Sequence, residues 1–238
     1  MDQEDIAGGS SQIVDVSFSK FPESIDRSSE AFVAVITGDG GKAYAGLGGI
    51  ACAGIVGEAH VQKAGIAMCG PGLDNKKGLA NGGAGCVVFA QAGSNAVGGD
   101  ESVAICARGG DATCGTYGIA ATMDGKAMSA RPAAVAIARR RNAKGAEARV
   151  ATGGVAIARD YLPDLIKSGP ARAHAGTCGV AIAFEDNHLS GDLGALLVGT
   201  YRGKDGSTRF ATAVVDGKAI RPGVVYEVDR SGQFVTVG

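Results

Sequence analysis

The chain has no tryptophan, and aromatic residues make up only 5% of its 238 positions. A core of ordinary thickness is therefore excluded. Whatever is buried must be assembled from Ala, Val, Ile and Cys, and a core of small side chains is thin. An excess of one charge is also missing: 23 Lys and Arg stand against 24 Asp and Glu, for a formal net charge of -1. That balance argues against a broad surface for nucleic acid or anionic membrane. No run approaches the roughly 18 apolar residues that a spanning helix needs. The opening MDQEDIAGGSSQ is acidic and polar, unlike a secretory signal, so a cytoplasmic location is expected.

Motifs of catalysis and cofactor binding are scarce. GxxxxGK[ST] and GxSxG do not occur. GLGG at 46–49 and GGAG at 82–85 lack the strand–helix context of a dinucleotide fingerprint. The six cysteines (52, 69, 86, 106, 114 and 178) form no CxxC pair, and read as small buried hydrophobes. His60, His174 and His188 are the whole histidine supply. His174 with Cys178, and Asp186 with His188 and Asp192, have spacings that fit no strong zinc pattern. No catalytic residue, metal or cofactor is expected.

What the chain has in excess is glycine, 40 residues, more than twice the usual share of roughly 7%. It also repeats itself. VAIAR stands at 135–139 and again at 155–159, with VAIAF at 180–184 and VAICA at 103–107. Short apolar segments recur from Val33 to Thr212 with a base spacing near 16, interrupted by three insertions. About eight residues before each anchor lies a weaker segment such as EAHVQ (58–62) or RAHAG (172–176). There Ala and Val alternate with Tyr44, His60, Arg149 and His174, the period of two that marks a strand. Glycine-containing links supply the corners.

Two strands and two corners in about 16 residues make one coil of a β-solenoid, in which each coil buries its apolar face against the next. An α/β alternative fails on spacing, since a parallel crossover needs a dozen or more residues. The expected fold is all-β: a single parallel β-solenoid (β-helix) over residues 31–215, capped at both ends. Residues 1–30 form the N-terminal segment and cap, and 216–238 a C-terminal β cap. Insertions fall near 70–84, 139–147 and 159–171. The strong strands are apolar on both faces. Val and Ile, with Ile157 as the example, are assigned to the interior, and Ala to a flat outer face suited to self-association.

Insertions in a solenoid often carry its binding function. Arg139, Arg140 and Arg141 suit an acidic partner or a phosphate. Tyr161, Leu162, Leu165 and Ile166 are large apolar residues in a chain that otherwise uses small ones, and are the better candidates for holding a protein.

The GVAIA-type units, followed by DGKAIRPGVVYEVDRSGQFV, resemble short-repeat Gly/Ala-rich β-solenoid proteins of bacteria, some associated with toxins and their cognate immunity proteins. The resemblance implies architecture and supplies no catalytic residue. The expected function is a non-enzymatic protein-binding solenoid, most concretely an immunity protein that neutralises a toxin. The alternatives are an assembly protein that forms homo-oligomers through the Ala-rich face, and a polysaccharide-acting enzyme. The last class usually carries a groove of aromatics and paired acids, absent here.

Overall fold

A computed structural model describes residues 24–140, 146–160 and 170–237. The described residues contain strands and turns and no helix. Two sheets of parallel strands face each other across a narrow interior, and the chain alternates between them. The first sheet runs from Ser24–Arg27 through Lys42–Leu47 and Glu58–Lys63 to His188–Gly191; the second runs from Ala34–Ile36 through Ile50–Ala53 and Val103–Cys106 to Leu196–Arg202. Each contributes ten parallel strands, so the body is a β-solenoid of ten coils.

Register follows the repeat residue for residue. Val135, Ala136, Ile137 and Ala138 stand opposite Val155, Ala156, Ile157 and Ala158, which stand opposite Val180, Ala181, Ile182 and Ala183. Identical side chains therefore stack in columns along the rod.

The interior is the reverse of the sequence expectation for the strong strands. Ala136, Ala156 and Ala181 are fully buried, as are Ala104 and Ala120, whereas Ile137 is 38% exposed. Ile157 also lies on the outer side of its strand, partly exposed. The reason is thickness. A Cβ added to Gly82 would lie 2.6 Å from the Cys86 Cβ and 2.8 Å from a Val88 methyl, closer than real Cβ atoms approach. So little room admits alanine on both walls. Where a leucine does enter, glycine makes way: Leu189 and Leu197 are buried, and Gly191 and Gly199 follow two residues later in the same strands. The weaker strands obey the expected facing, with Ala43, Ala59, Ala148 and Ala173 inward.

One corner repeats without exception. The residue two places before each strand of the second sheet has positive φ, from Phe32, Gly48 and Ala64 to Cys178 and Gly194. Six of these ten are not glycine, and each pays the left-handed penalty of about 1–2 kcal/mol. Neighbouring coils over-determine the conformation. Phe32 N–H donates to Leu47 O, Gly48 to Lys63 O, Ala64 to Ala84 O, and Glu101 to Thr116 O, at 2.7–2.9 Å. Breaking one corner would orphan a donor and an acceptor in two coils.

The ends adjust the expected boundaries. Ser24–Arg27 pairs parallel with Lys42–Leu47 and is a rung of the body; residues 1–23, with most of the expected N-terminal cap, lie outside the described residues. Thr208–Val214, spaced like a further coil, turns back antiparallel on Leu196–Arg202. The reversal is made at Gly203–Ser207, where Gly203 N–H donates to Ser207 O, Ser207 N–H donates to the Asp205 carboxylate, and Gly206 has φ +78°. Tyr226–Val228 pairs antiparallel with Leu189 at one point and with Phe234–Thr236 along its length, so the C-terminal segment folds as a hairpin beside the last rung of the first sheet.

Of the first insertion only residues 73–77 leave the coil: Val56 N–H donates to Pro71 O, Gly72 N–H to Ala92 O and Asn95 N–H to Gly78 O, and Leu79–Gly82 is a regular rung. Asp74 and Asn75 both have positive φ between the mutually bonded Leu73 and Lys76, the two-residue turn that suits a hairpin. The other two insertions fall largely on 141–145 and 161–169, outside the described residues.

Candidate functional site

The two outer walls of the rod differ in chemistry. On the second sheet the outward positions form two apolar columns. One passes through Ile50, Ile66, Val87, Ile119, Val155 and Leu196; the other passes through Cys52, Met68, Phe89, Ile105, Ile137 and Ile182. Several remain well exposed: Val87 at 46%, Ile119 at 40%, Met68 at 39% and Ile137 at 38%. These are β-branched or flexible apolar residues on a flat, regular surface. The antiparallel strand of the cap continues it with Val214, 54% exposed, and Phe210, 69% exposed.

The first sheet carries polar ladders in the equivalent positions. Lys42 and Glu58 pair at 3.0 Å and Lys126 and Glu147 at 3.8 Å across adjacent rungs. The Tyr44 and His60 rings stack at 4.7 Å, and Asn81 lies 3.4 Å from the His60 Nδ1. An ordinary half-solvated sheet looks like this. The apolar columns on the other wall do not.

One cluster on the polar wall unites residue types used in hydrolysis. His174 Nδ1 lies 2.9 Å from Ser190 Oγ, and its Nε2 lies 3.9 Å from an Asp192 oxygen. Burial holds the His174 pKa below its usual value, and Arg149 adds to the effect. Sequence reasoning singled out His174 but not Ser190, although the spacing of 16 places them on consecutive rungs. The serine is held on the ring, while the carboxylate is 54% exposed and beyond hydrogen-bond reach. What the arrangement does is bridge two coils.

A depression lies between the last coil and the cap, lined by Glu185, Asp186, Tyr201, Arg202, Lys204 and Arg230. Glu185 pairs with Arg202 at 3.4 Å, and its N–H donates to Thr200 Oγ1 at 2.9 Å. The charges of both signs are mixed, and these contacts join the last two coils; Thr208 on the reversed strand also reaches Glu185, its Oγ1 lying 3.4 Å from a carboxylate oxygen. Among the described residues no group of three His, Cys, Asp or Glu side chains is placed to hold a metal ion.

Of the residues expected to bind a partner, Arg139 is exposed at the end of Val135–Arg140, in register with Arg159. The Arg159 guanidinium in turn lies 5.0 Å from the Phe184 ring centre. Arg140 belongs to the same strand, opposite Asp160. Arg141, Tyr161, Leu162, Leu165 and Ile166 lie outside the described residues, so the structure does not place the arginine run and the apolar insertion relative to each other. What sequence reasoning missed was the Val/Ile wall. The two-sided apolarity of VAIA signalled it, but the facing was reversed.

No known protein family, curated protein or solved structure matches the chain.

Proposed function

We propose that this protein is a non-enzymatic binding scaffold, whose solenoid presents its second-sheet wall to a protein. The observation that supports the reading is the contrast between the walls. Solvent-facing positions on one are mostly Lys, Glu, His, Asn and Arg, with Leu79, Val97 and Met128 among them, while the equivalent two positions on the other hold only Ile, Val, Leu, Met, Phe, Ala or Cys on all ten rungs. Monomeric soluble proteins rarely expose a contiguous apolar patch larger than about 300–600 Å². Stacked small-residue coils also make a rigid presenter, so little ordering entropy opposes binding. The toxin-neutralising role implied by the repeat resemblance is one form of this reading, in which the protein held is a toxin.

The test uses the full chain with Ile105→Lys and Ile137→Lys together. Both side chains point outward, so the coils should persist. The wild-type chain should be recovered in a stoichiometric complex, with itself or with a co-expressed partner, and the variant should lose affinity by more than tenfold, about 1.4 kcal/mol. A variant that binds as well as the wild type would end the assignment of this wall.

A further inference from the structure

We infer that the occupant of the apolar wall is a second copy of this chain, packed sheet against sheet; this rests on the binding-scaffold reading above. Dimensions come first. Ten strands at about 4.8 Å, each about 13 Å wide over four residues, give a footprint of about 600 Å² per copy. Two copies then cover about 1,200 Å², where specific protein interfaces begin. Thr208–Val214 lengthens the wall by one further strand, with Val214 and Phe210 on its outer side.

Shape gives the second argument. A partner must itself be flat, apolar and about 45 Å long. A two-fold interface requires a patch that complements itself. This wall meets that condition because every rung offers two apolar side chains at one spacing, and three consecutive rungs repeat the same pair: Val135 and Ile137, Val155 and Ile157, Val180 and Ile182. Ridges of β-branched side chains on one copy fit between ridges of the other, as in the face-to-face packing of two sheets about 10 Å apart. The two columns hold no charged group; Thr212 on the cap strand brings a hydroxyl to their end, and Arg139 and Arg159 stand beside them at the strand ends, on the rim. The polar wall, with Lys42, Glu58, Lys126 and Glu147, could not pack in this way without burying charge.

The chain contains its own reporter. Cys52 lies within the wall, partly exposed, and Cys178 is exposed at the corner two residues before Val180, on the rim of the wall. Sedimentation of the full chain at about 10 µM should give twice the 23.6 kDa chain mass. Ile105→Lys with Ile137→Lys should give monomer, with a dissociation constant raised at least about 100-fold and an unchanged far-UV β signal. A maleimide should label Cys52 at least about tenfold more slowly in the wild type than in the Lys variant. Should the Lys pair fail to fold, dilution of the wild type through its dissociation range should release Cys52 in step with the monomer fraction.

A wild-type monomer at about 100 µM overturns the second-copy inference. If that monomer captures another protein through Ile105 and Ile137, the scaffold reading stands without it. A monomer with protected Cys52 also overturns it, since the chain would then cover its own wall. A dimer unaffected by the Lys pair overturns both readings of the wall.

Discussion

Ile137 and Ala138 are neighbours in the chain and lie on opposite sides of one wall: the alanine is 1% exposed and the isoleucine 38%. Size therefore selects against burial in this rod, the opposite of its usual effect. Replacing Ala136, which stacks between Ala120 and Ala156, with Leu should destabilise by about 3 kcal/mol, because overpacking has nowhere to relax. Ile137→Lys in dilute solution should cost no more than about 1 kcal/mol, the span of strand preferences. Urea midpoints of the two variants check this, and an Ile137 variant less stable than the Ala136 variant would mean the facing is wrong.

That inversion marks the limit of what the sequence disclosed. The period near 16 and the clean alternation in segments such as EAHVQ and RAHAG were enough for the solenoid and its rungs, because identical coils must stack in register. Facing was legible where polar residues such as His60 and Arg149 mark one side. In VAIA both sides are apolar, and only the width of the interior decides. The left-handed corners at Phe32, Glu101 and Tyr117 were hidden as well, since hydrogen bonds between coils impose them on residues that would not choose them. Thr212 kept the coil spacing but belongs to a reversed strand, because the GKDGS turn sends the chain back. Of the candidate sites, Arg139 is seen at a strand end, while the apolar insertion falls outside the described residues.

Two adjacent glycines should respond differently to alanine. Gly153 has φ +68° with nothing within 4 Å of an added Cβ. Gly153→Ala should cost about 1 kcal/mol, the left-handed penalty alone. A Cβ on Gly154 would lie 2.6 Å from the Ala134 carbonyl oxygen and 2.8 Å from the Val150 Cβ. Gly154→Ala should therefore cost more, about 2–3 kcal/mol. Thermal midpoints give the order, and the reverse order would refute the corner geometry.

The cap should loosen in two steps as the pH falls. Burial, with Arg172 as a second cause, lowers the His188 pKa below its ordinary 6.5. Its contribution to stability is fully present above that value, and is lost between it and the lower folded value, as the unfolded chain takes up the proton first. Asp229 accepts hydrogen bonds from the Gln233 and Ser231 amides, and Asp216 from those of Lys218 and Ile220, which lower both pKa values. Their contribution is present above the ordinary 3.8 and is lost below it, through the folded values. The protection of the Tyr226–Val228 amides, taken relative to the intrinsic exchange rate at each pH, should fall first below pH about 6.5 and again below about 4. His188→Gln should flatten the first step, and Asp216→Asn with Asp229→Asn the second. A single acid step in the wild type would contradict the assignment.

Thiol chemistry should separate inside from outside. Cys69 lies 3% exposed at the end of Ile66–Cys69, and burial pushes its pKa up to about 11. Cys106 and Cys114 are also buried, with pKa values raised by the same cause. The thiolate is the reactive form, and each unit of pKa above the pH removes about a factor of ten. Against an ordinary thiol, the thiolate fraction of Cys69 at pH 7.5 is therefore about 100-fold smaller, and with part of that offset by the greater nucleophilicity of a more basic thiolate it should react about tenfold more slowly before access is considered. Cys178, exposed at its corner, should be labelled first by iodoacetamide, with Cys69, Cys106 and Cys114 following only as the chain unfolds. Mass spectrometry of the labelled peptides over a urea series reads this order. If Cys69 kept pace with Cys178 in native buffer, the coils would have to open locally, and the continuous stack of alanine columns on either side of it would not hold.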